Sequence, residues 1–516
     1  MYLTQGLHRS LQQTPDAVMT VFGERTRTVR EFADRVARFA SALRGLDVRS
    51  GGRVAILANN SDNYAEVLLA VPWADAVLNP VNTRWSVAEI AYSLADCACD
   101  VLVVDNAYAH MVPALQAEYP GLRTVIFCGD GETPAGMCAY EMLIAESAAV
   151  EDVRRSGDAL AGIFYTGGTT GFPKGVMLSH ANIVTSVLGA AASRSLFRSG
   201  GTYLHVAPMF HLADFTGGMI QVLVGGTHVM LPSFDAKSVL RTIERYSVTG
   251  AVLVPAMIQA VVNHPDVAVH DLSSIENIMY GASPISENLL TRALSTFSSG
   301  GLTQAYGMTE LAGLATLLAP EDHVGDRMRS AGRALPHTEV RISGRDGVDA
   351  ARGEVGEIIV RGGHVMQGYW GRPEETADAL VDGWMHTGDL GYMDDAGYVF
   401  VVDRSKDMII TGGENVYSAE VENALSSHPA VLECAVIALP DERWGERVHA
   451  VVVPRPGHDI EGSDLRDHVK SLVAGYKAPR SFEFVESLPR TTTGKILKRT
   501  LREAHVQGGG AAGASG

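Results

Sequence analysis

Short apolar runs rich in β-branched residues alternate with helical patterns along most of this chain, and that alternation restricts its fold more than any other feature. VAILAN at 54–59 precedes a helical stretch through Tyr64–Leu69 and then DVLVVD at 100–105; GAVLVP at 250–255 precedes the helical MIQAVVNH. Strands joined by helices in this way pair in parallel with both faces covered. The expected fold class is therefore α/β, with a large N-terminal domain of stacked α/β sheets. Over 338–402 the pattern changes to strands and turns (EVRISG, GEIIVRG, GYVFVVD), which reads as a β-rich subdomain. From Arg404 the chain starts again: SAEVENALSSHP as helix, ECAVIALP and HAVVVP as strands, a helix through Leu465–Leu472 and a last helix KRTLREAH. That makes a small α+β unit of about a hundred residues, the size of an ordinary domain. The expected division is 1–404 and 405–505, followed by a Gly/Ala/Ser-rich flexible tail at 506–516.

Composition narrows the function. With 516 residues and 46% hydrophobic content the chain can bury several cores, and a net charge of −17 argues against nucleic acid as a partner. Between Arg466 and Arg502 the balance reverses to nine Lys or Arg against three Asp or Glu, either a solvated helix face or a basic wall for a phosphorylated ligand. The five cysteines (Cys97, Cys99, Cys128, Cys138, Cys434) form no paired framework and no metal pattern, so reduced thiols and a cytoplasmic setting are expected. MYLTQGLHRSLQQTPD has no long apolar core, so no secretory signal is expected. The most apolar long run, Phe215–Leu231, is broken by glycines, Gln221 and His228, so membrane insertion is not expected either.

The stretch Tyr165–Gly175, YTGGTTGFPKG, packs four glycines, three threonines and a lysine into eleven residues. Gly167, Gly168 and Gly171 let backbone N–H groups approach an anion, Thr166, Thr169 and Thr170 add hydroxyl donors, and Lys174 adds a mobile charge suited to a polyphosphate. It is not a Walker loop, because Lys174 lies between Pro173 and Gly175, with no Ser or Thr after it. Further segments follow in order: Met209-Phe210-His211, GASP at 281–284, QAYGMTE at 304–310, HTGDL at 386–390, DRSKDMIITGGENVYSAEVE at 403–422 and PRTTTGKILK at 489–498.

Together these segments resemble the adenylate-forming superfamily of acyl-CoA and aryl-CoA synthetases, peptide-synthetase adenylation domains and firefly luciferase, over about residues 8–505. The resemblance implies ATP, Mg2+, coenzyme A and a small-molecule carboxylate as ligands. In the family the Thr166–Lys174 loop holds phosphate, the backbone of Gly281, Ala282 and Ser283 meets adenine, and Tyr306 with Gly307 completes the adenine site. Thr309 bonds the α-phosphate, Glu310 ligates Mg2+, and Asp389 with Arg404 takes the ribose hydroxyls. Lys406 is the hinge, Gly412-Gly413 approach pantetheine, and Lys495 bridges substrate carboxylate and α-phosphate. Each role suits its group: a flat ring for a base, a hard oxygen for a hard cation, two acceptor oxygens for a vicinal diol. Gly167 stands where many members carry Ser.

The implied activity is an acid–thiol ligase: a carboxylate attacks the α-phosphate of ATP, and the CoA thiol then displaces AMP. His211 stands where amino-acid-activating members usually carry Asp, which disfavours an amino-acid substrate. The pocket candidates are His211, Asp214, Phe215, Ala305 and Met308 together with Gly281 and Ala282. Asp214 faces either this space, which would suit an acid bearing a hydroxyl or other donor, or solvent. A medium- or long-chain fatty acid is the leading expectation for the substrate. A cinnamate-, coumarate- or benzoate-type acid is the alternative, and so is loading of a carrier-protein thiol. Oligomeric state is left open, a homodimer included. PRTTTGK also resembles sites at which bacterial acetyltransferases silence such ligases, so a lysine acetyltransferase acting on Lys495 is an expected partner.

Overall fold

The strand runs at 54–59 and 100–105 lie side by side as parallel strands, with Val54 opposite Val101 and Leu57 opposite Val104. This is the pairing that a strand–helix–strand repeat dictates. A computed structural model gives the fold and describes residues 1–166, 173–193, 196–283, 285–344, 347–441, 443–458, 460–490 and 496–508. Those two strands belong to an eight-stranded sheet, parallel except where Lys174–Ser179 and Gly368–Tyr369 add antiparallel at one edge. A nine-stranded sheet holds Gly201–His205, Gly250–Leu253, Asn277–Gly281 and Gly301–Tyr306, all parallel. Pro255 does not extend its strand, as the GAVLVP run suggested. It opens the helix Pro255–Val262, where a missing N–H costs nothing.

Two helices explain how the sheets stack. Asp62–Trp73 is buried at every residue but Ala65, and it touches strands of both sheets. Leu212–Val224 is buried from Asp214 through Val222 and meets the eight-stranded sheet through Phe215, edge-on to Phe164 with ring centroids 5.3 Å apart. Helices apolar on all sides belong between layers. One apolar core runs from Leu3 to Val399 and joins both sheets to a third, built from Glu339–Ser343, Gly356–Arg361, Leu380–Val381, Trp384–Met393 and Val399–Arg404.

From Ile409 onward a smaller α+β domain has a five-stranded sheet of its own. Its two apolar clusters draw on no residue before Ile409, so the buried cores separate between Val399 and Ile409. Among the described residues no helix is long and apolar enough to cross a membrane. All five cysteines are unpaired thiols.

In the nine-stranded sheet Gly201–His205 is flanked by Gly226–Met230 on one side and Gly250–Leu253 on the other, so successive connections leave it in opposite directions. The carboxyl ends of strands at such a reversal open a crevice where α/β proteins bind ligands. The segments carrying His211, Gly281 and Tyr306 all follow or end strands of this sheet.

Candidate active site

Strands Leu160–Thr166 and Lys174–Ser179 pair antiparallel with Thr166 opposite Lys174, so the two ends of the glycine–threonine loop face each other. Gly167, Gly168, Thr169, Thr170 and Gly171 lie outside the described residues. Tyr369 sits opposite Val176 on the next strand, which puts its ring 5.1 Å from the Lys174 ammonium. Its hydroxyl donates to Glu310 Oε1 at 2.8 Å. Lys174 and the carboxylate of QAYGMTE thus share one neighbour.

Glu310 is buried on the short turn Thr309–Leu311, and its backbone carbonyl accepts from the Met366 N–H at 2.8 Å. Burial pushes its carboxyl pKa up, against the opposing pull of the Tyr369 hydroxyl. A hard carboxylate oxygen that shares a neighbour with Lys174 fits Mg2+. Thr309 stands next to it on the same turn.

Tyr306 ends its strand and donates its hydroxyl to Asp389 Oδ2 at 2.8 Å. Asp389 Oδ1 accepts from Arg404 Nε at 2.9 Å, the two residues facing each other across antiparallel strands. Desolvation, with the charge of Asp389 after it, pushes the Tyr306 phenol well above its usual range. Beside this trio the backbones crowd. A Cβ at Gly281 would come 2.1 Å from the Ala305 carbonyl oxygen, and one at Gly307 would come 2.2 Å from that of Gly313. Ala282 holds φ +65°, a left-handed conformation that non-glycine residues adopt at a cost and that clusters at functional sites. Ser283 follows it, half-buried, as are Ala305 and Met308.

His211 caps the helix Leu212–Val224, its Nδ1 accepting from the Ala213 N–H at 3.2 Å. Desolvation pulls its pKa down to about 4, so the ring is neutral at physiological pH. Asn60 fixes the turn before it: its Nδ2 donates to the Ala207 carbonyl at 2.9 Å, and its Oδ1 accepts from the Met209 N–H at 2.8 Å. Asp214 does not reach solvent. It is fully buried, accepting from the Tyr203 hydroxyl at 3.1 Å and from His205 Nδ1 at 2.6 Å.

Lys406 lies exposed two residues after Arg404. Around it Asp407 pairs with Arg502 at 2.7 Å, Asp403 accepts from the Ser418 hydroxyl at 2.7 Å, and Lys498 pairs with Glu422 at 2.7 Å. Gly412 and Gly413, at φ +62° and +86°, form a two-residue turn between Ile409–Thr411 and Glu414–Val416. Left-handed conformation at both positions is what such a turn requires. A side chain on Gly412 would also strike the Trp444 ring, 2.8 Å from its Cβ. Lys495 lies outside the described residues; on either side of 491–495, Arg490 and Ile496 form a β-bridge.

Residues 7–370 match the family model for AMP-binding enzymes, and residues 420–495 match the model for the AMP-binding enzyme C-terminal domain. The chain belongs to the adenylate-forming AMP-binding enzymes. It is 41% identical over 497 residues to a feruloyl-CoA synthase of an Amycolatopsis species (96% of this chain, 97% of the relative). With the long-chain-fatty-acid–CoA ligase FadD13 of Mycobacterium tuberculosis it shares 37% identity over 472 residues, 91% of each chain. The o-succinylbenzoate CoA synthetase MenE of Bacillus subtilis, solved with its acyl-adenylate, superposes with a TM-score of 0.85 at 31% identity (96% of this chain, 97% of the other). This AMP-binding enzyme is a CoA ligase that works through an acyl-adenylate and uses ATP, Mg2+ and CoA.

Three contributors to this site carry no signal of their own in the sequence. Tyr369 reaches Glu310 from a two-residue strand too short to show alternation. Asn60 is a lone amide whose role depends on the segment 207–209. Tyr203 reads only as a core aromatic until Asp214 is seen beneath its hydroxyl.

Proposed function

We propose that this AMP-binding enzyme activates an aryl-substituted carboxylic acid of the cinnamate or benzoate type. The observation that carries the reading is Tyr203. Its hydroxyl lies 2.4 Å from the Cβ position of Gly217 on the helix after His211, and it bonds the buried Asp214. The missing side chain at Gly217 lets a phenol pack against that helix, backed by a carboxylate. Phe164 and Phe215 stand edge to face nearby, an arrangement that suits a flat ring. The 41% identity to a feruloyl-CoA synthase supports the same class. A medium- or long-chain fatty acid is the second reading, favoured by the 37% identity to FadD13.

In the proposed mechanism Asp389 and Arg404 take the ribose hydroxyls, and Tyr306 packs on the adenine at the ends of the Gly281 and Ala305 strands. Thr166, Lys174 and the glycines between them hold the polyphosphate, with Thr309 on the α-phosphate. Glu310 would hold Mg2+, which when bound offsets the charge of the phosphates. Neutral His211 lines the acid pocket without adding a charge to it. The carboxylate oxygen attacks the α-phosphorus, pyrophosphate leaves, and the Lys495 ammonium offsets the anionic charge that builds between the two reactants. The CoA sulfur then adds to the acyl carbonyl and AMP departs.

The separation of cores between Val399 and Ile409 supports a domain boundary near residue 404 and a hinge at Lys406. Rotation there would exchange the Lys495 loop for the Gly412-Gly413 turn, a lid-type step. The test is CoA-dependent AMP release across aryl acids, fatty acids and a carrier-protein acceptor. The highest kcat/KM with an aryl acid and CoA is expected; a fatty acid in first place, or a response to carrier protein alone, would overturn the proposal.

A further inference from the structure

The C-terminal domain carries a cluster of ligating side chains that the proposed mechanism does not use. His449 lies on the strand Gly445–Pro454, which pairs in parallel with Ser481–Phe484 so that His449 stands opposite Ser481 and Val451 opposite Glu483. Paired residues point to the same side of a sheet and alternate residues share it, so His449, Ser481 and Glu483 occupy one face. The last helix, Lys498–Gly508, covers that face. Leu501 packs into one apolar cluster with Val451, and His505, four residues on and therefore on the same side of the helix, comes beside His449 with ring centroids 4.6 Å apart. One ligand atom each from His449, Glu483 and His505 lie within 4.8 Å of one another.

Each of these histidines has one ring nitrogen tied to the protein and one left over. His505 Nδ1 is 2.8 Å from the Leu501 carbonyl oxygen. A carbonyl only accepts, so Nδ1 carries a proton whatever the charge of the ring. Nε2 of the same ring faces Glu483 Oε2 at 2.9 Å. A carboxylate oxygen and an imidazole nitrogen so close share one cation between them, a proton or a metal ion. His449 Nδ1 is 2.8 Å from the Ser481 hydroxyl, which is able to accept its proton. His449 Nε2 is buried and has no hydrogen-bond partner among the described residues, although buried polar groups are nearly always paired. Tying one ring nitrogen to an oxygen of the protein is how histidines are oriented to present the other to a metal.

Two imidazoles and a carboxylate suit a borderline transition metal, whereas Mg2+ and Ca2+ take oxygen ligands. Arg447, two residues before His449 on the same strand, weighs against an ion held by charge alone, so bonds to imidazole must carry the binding. Around zinc, with bonds of about 2.0 to 2.2 Å, tetrahedral ligands stand roughly 3.3 Å apart, a closure that rotation of the partly exposed Glu483 and His505 side chains supplies. We propose that His449, Glu483 and His505 bind one Zn2+ through the two Nε2 atoms and a carboxylate oxygen, with water in the fourth position, and that the ion clamps the last helix onto the sheet of the C-terminal domain. That helix starts at Lys498, shortly after Lys495, so the clamp fixes the chain just beyond the lysine proposed for the first half-reaction. The proposal stands apart from which acid the enzyme activates.

The test titrates Zn2+ into the full-length enzyme, stripped with a chelator and held in excess Mg2+ so that Glu310 is supplied, in competition with a chromophoric chelator. Wild type is compared with Glu483→Gln and His505→Gln, two partly exposed positions whose replacement leaves the apolar clusters intact. Melting curves without zinc report whether each variant folds, and either one that folds is enough. The wild type is expected to bind one Zn2+ with a Kd on the order of 1 μM or below, and each variant to bind it at least about tenfold more weakly. Zinc should raise the melting temperature of the wild type and leave that of the variants in place, because an ion that binds only the folded protein stabilises it. Zinc binding by the wild type no tighter than by a folded variant, or a melting shift that survives both substitutions, would overturn the proposal and leave His505 and Glu483 as an ordinary ion pair.

Discussion

Asp389 illustrates how much one side chain can organise: one of its oxygens holds the Tyr306 phenol and the other the Arg404 guanidinium, so it fixes both residues proposed for the adenosine. Asp389→Asn keeps the shape and removes the charge. Hydrogen bonds to charged groups contribute about 1.5 to 3 kcal/mol each, so the ATP KM should rise on the order of 10- to 100-fold while the KM for CoA holds. An unchanged ATP KM in steady-state kinetics would refute the assignment. The sequence carries this residue well, because HTGDL has few other uses once QAYGMTE and DRSKD accompany it. It carries Asp214 poorly. A lone Asp on an apolar run gives no direction, and what settles it is the company of Tyr203 and His205, two residues apart on one face of a neighbouring strand.

At the scale of elements, the turn at Gly412-Gly413 depends on glycine for a local reason that only the structure supplies. A two-residue turn demands left-handed backbone at both positions, and Trp444 covers the first of them. Gly412→Ala should therefore destabilise the C-terminal domain by about 1 kcal/mol, read by denaturant unfolding. It should slow thioester formation more than pyrophosphate release if the turn meets pantetheine. Equal slowing of both half-reactions would deny the turn that role. The alternating strands and helices were legible because each element carries its own periodicity, whereas Pro255 belongs to a helix start that a strand-like GAVLV run hides. Tyr369 carries no sequence signal because its two-residue strand exists only through pairing with Val176 and Met177, distant in sequence.

Across the whole molecule, histidines kept neutral by burial link stability to pH. Desolvation pulls His180, His211 and His449 down to about 4 and His364 to about 3, whereas in the unfolded chain they titrate near 6.5. Their stabilising contribution is therefore complete above about pH 6.5 and is lost as the pH falls toward 4, because the unfolded state binds the protons first. From pH 7 to pH 5 each should cost about 1 to 2 kcal/mol. Flat unfolding free energy over that range would show that these rings are not buried neutral. The larger claim is that two domains with separate cores share one active site, Lys495 serving the first half-reaction and the Gly412-Gly413 turn the second. The most direct measurement compares wild type and Lys495→Ala in two assays, acid-dependent ATP–pyrophosphate exchange and CoA consumption of a supplied acyl-adenylate. Exchange should fall by at least on the order of 100-fold in the variant, as expected for removing a preorganised charge, while acyl-CoA formation from the adenylate stays near the wild-type rate. Undiminished exchange, or equal loss in both assays, would contradict the account.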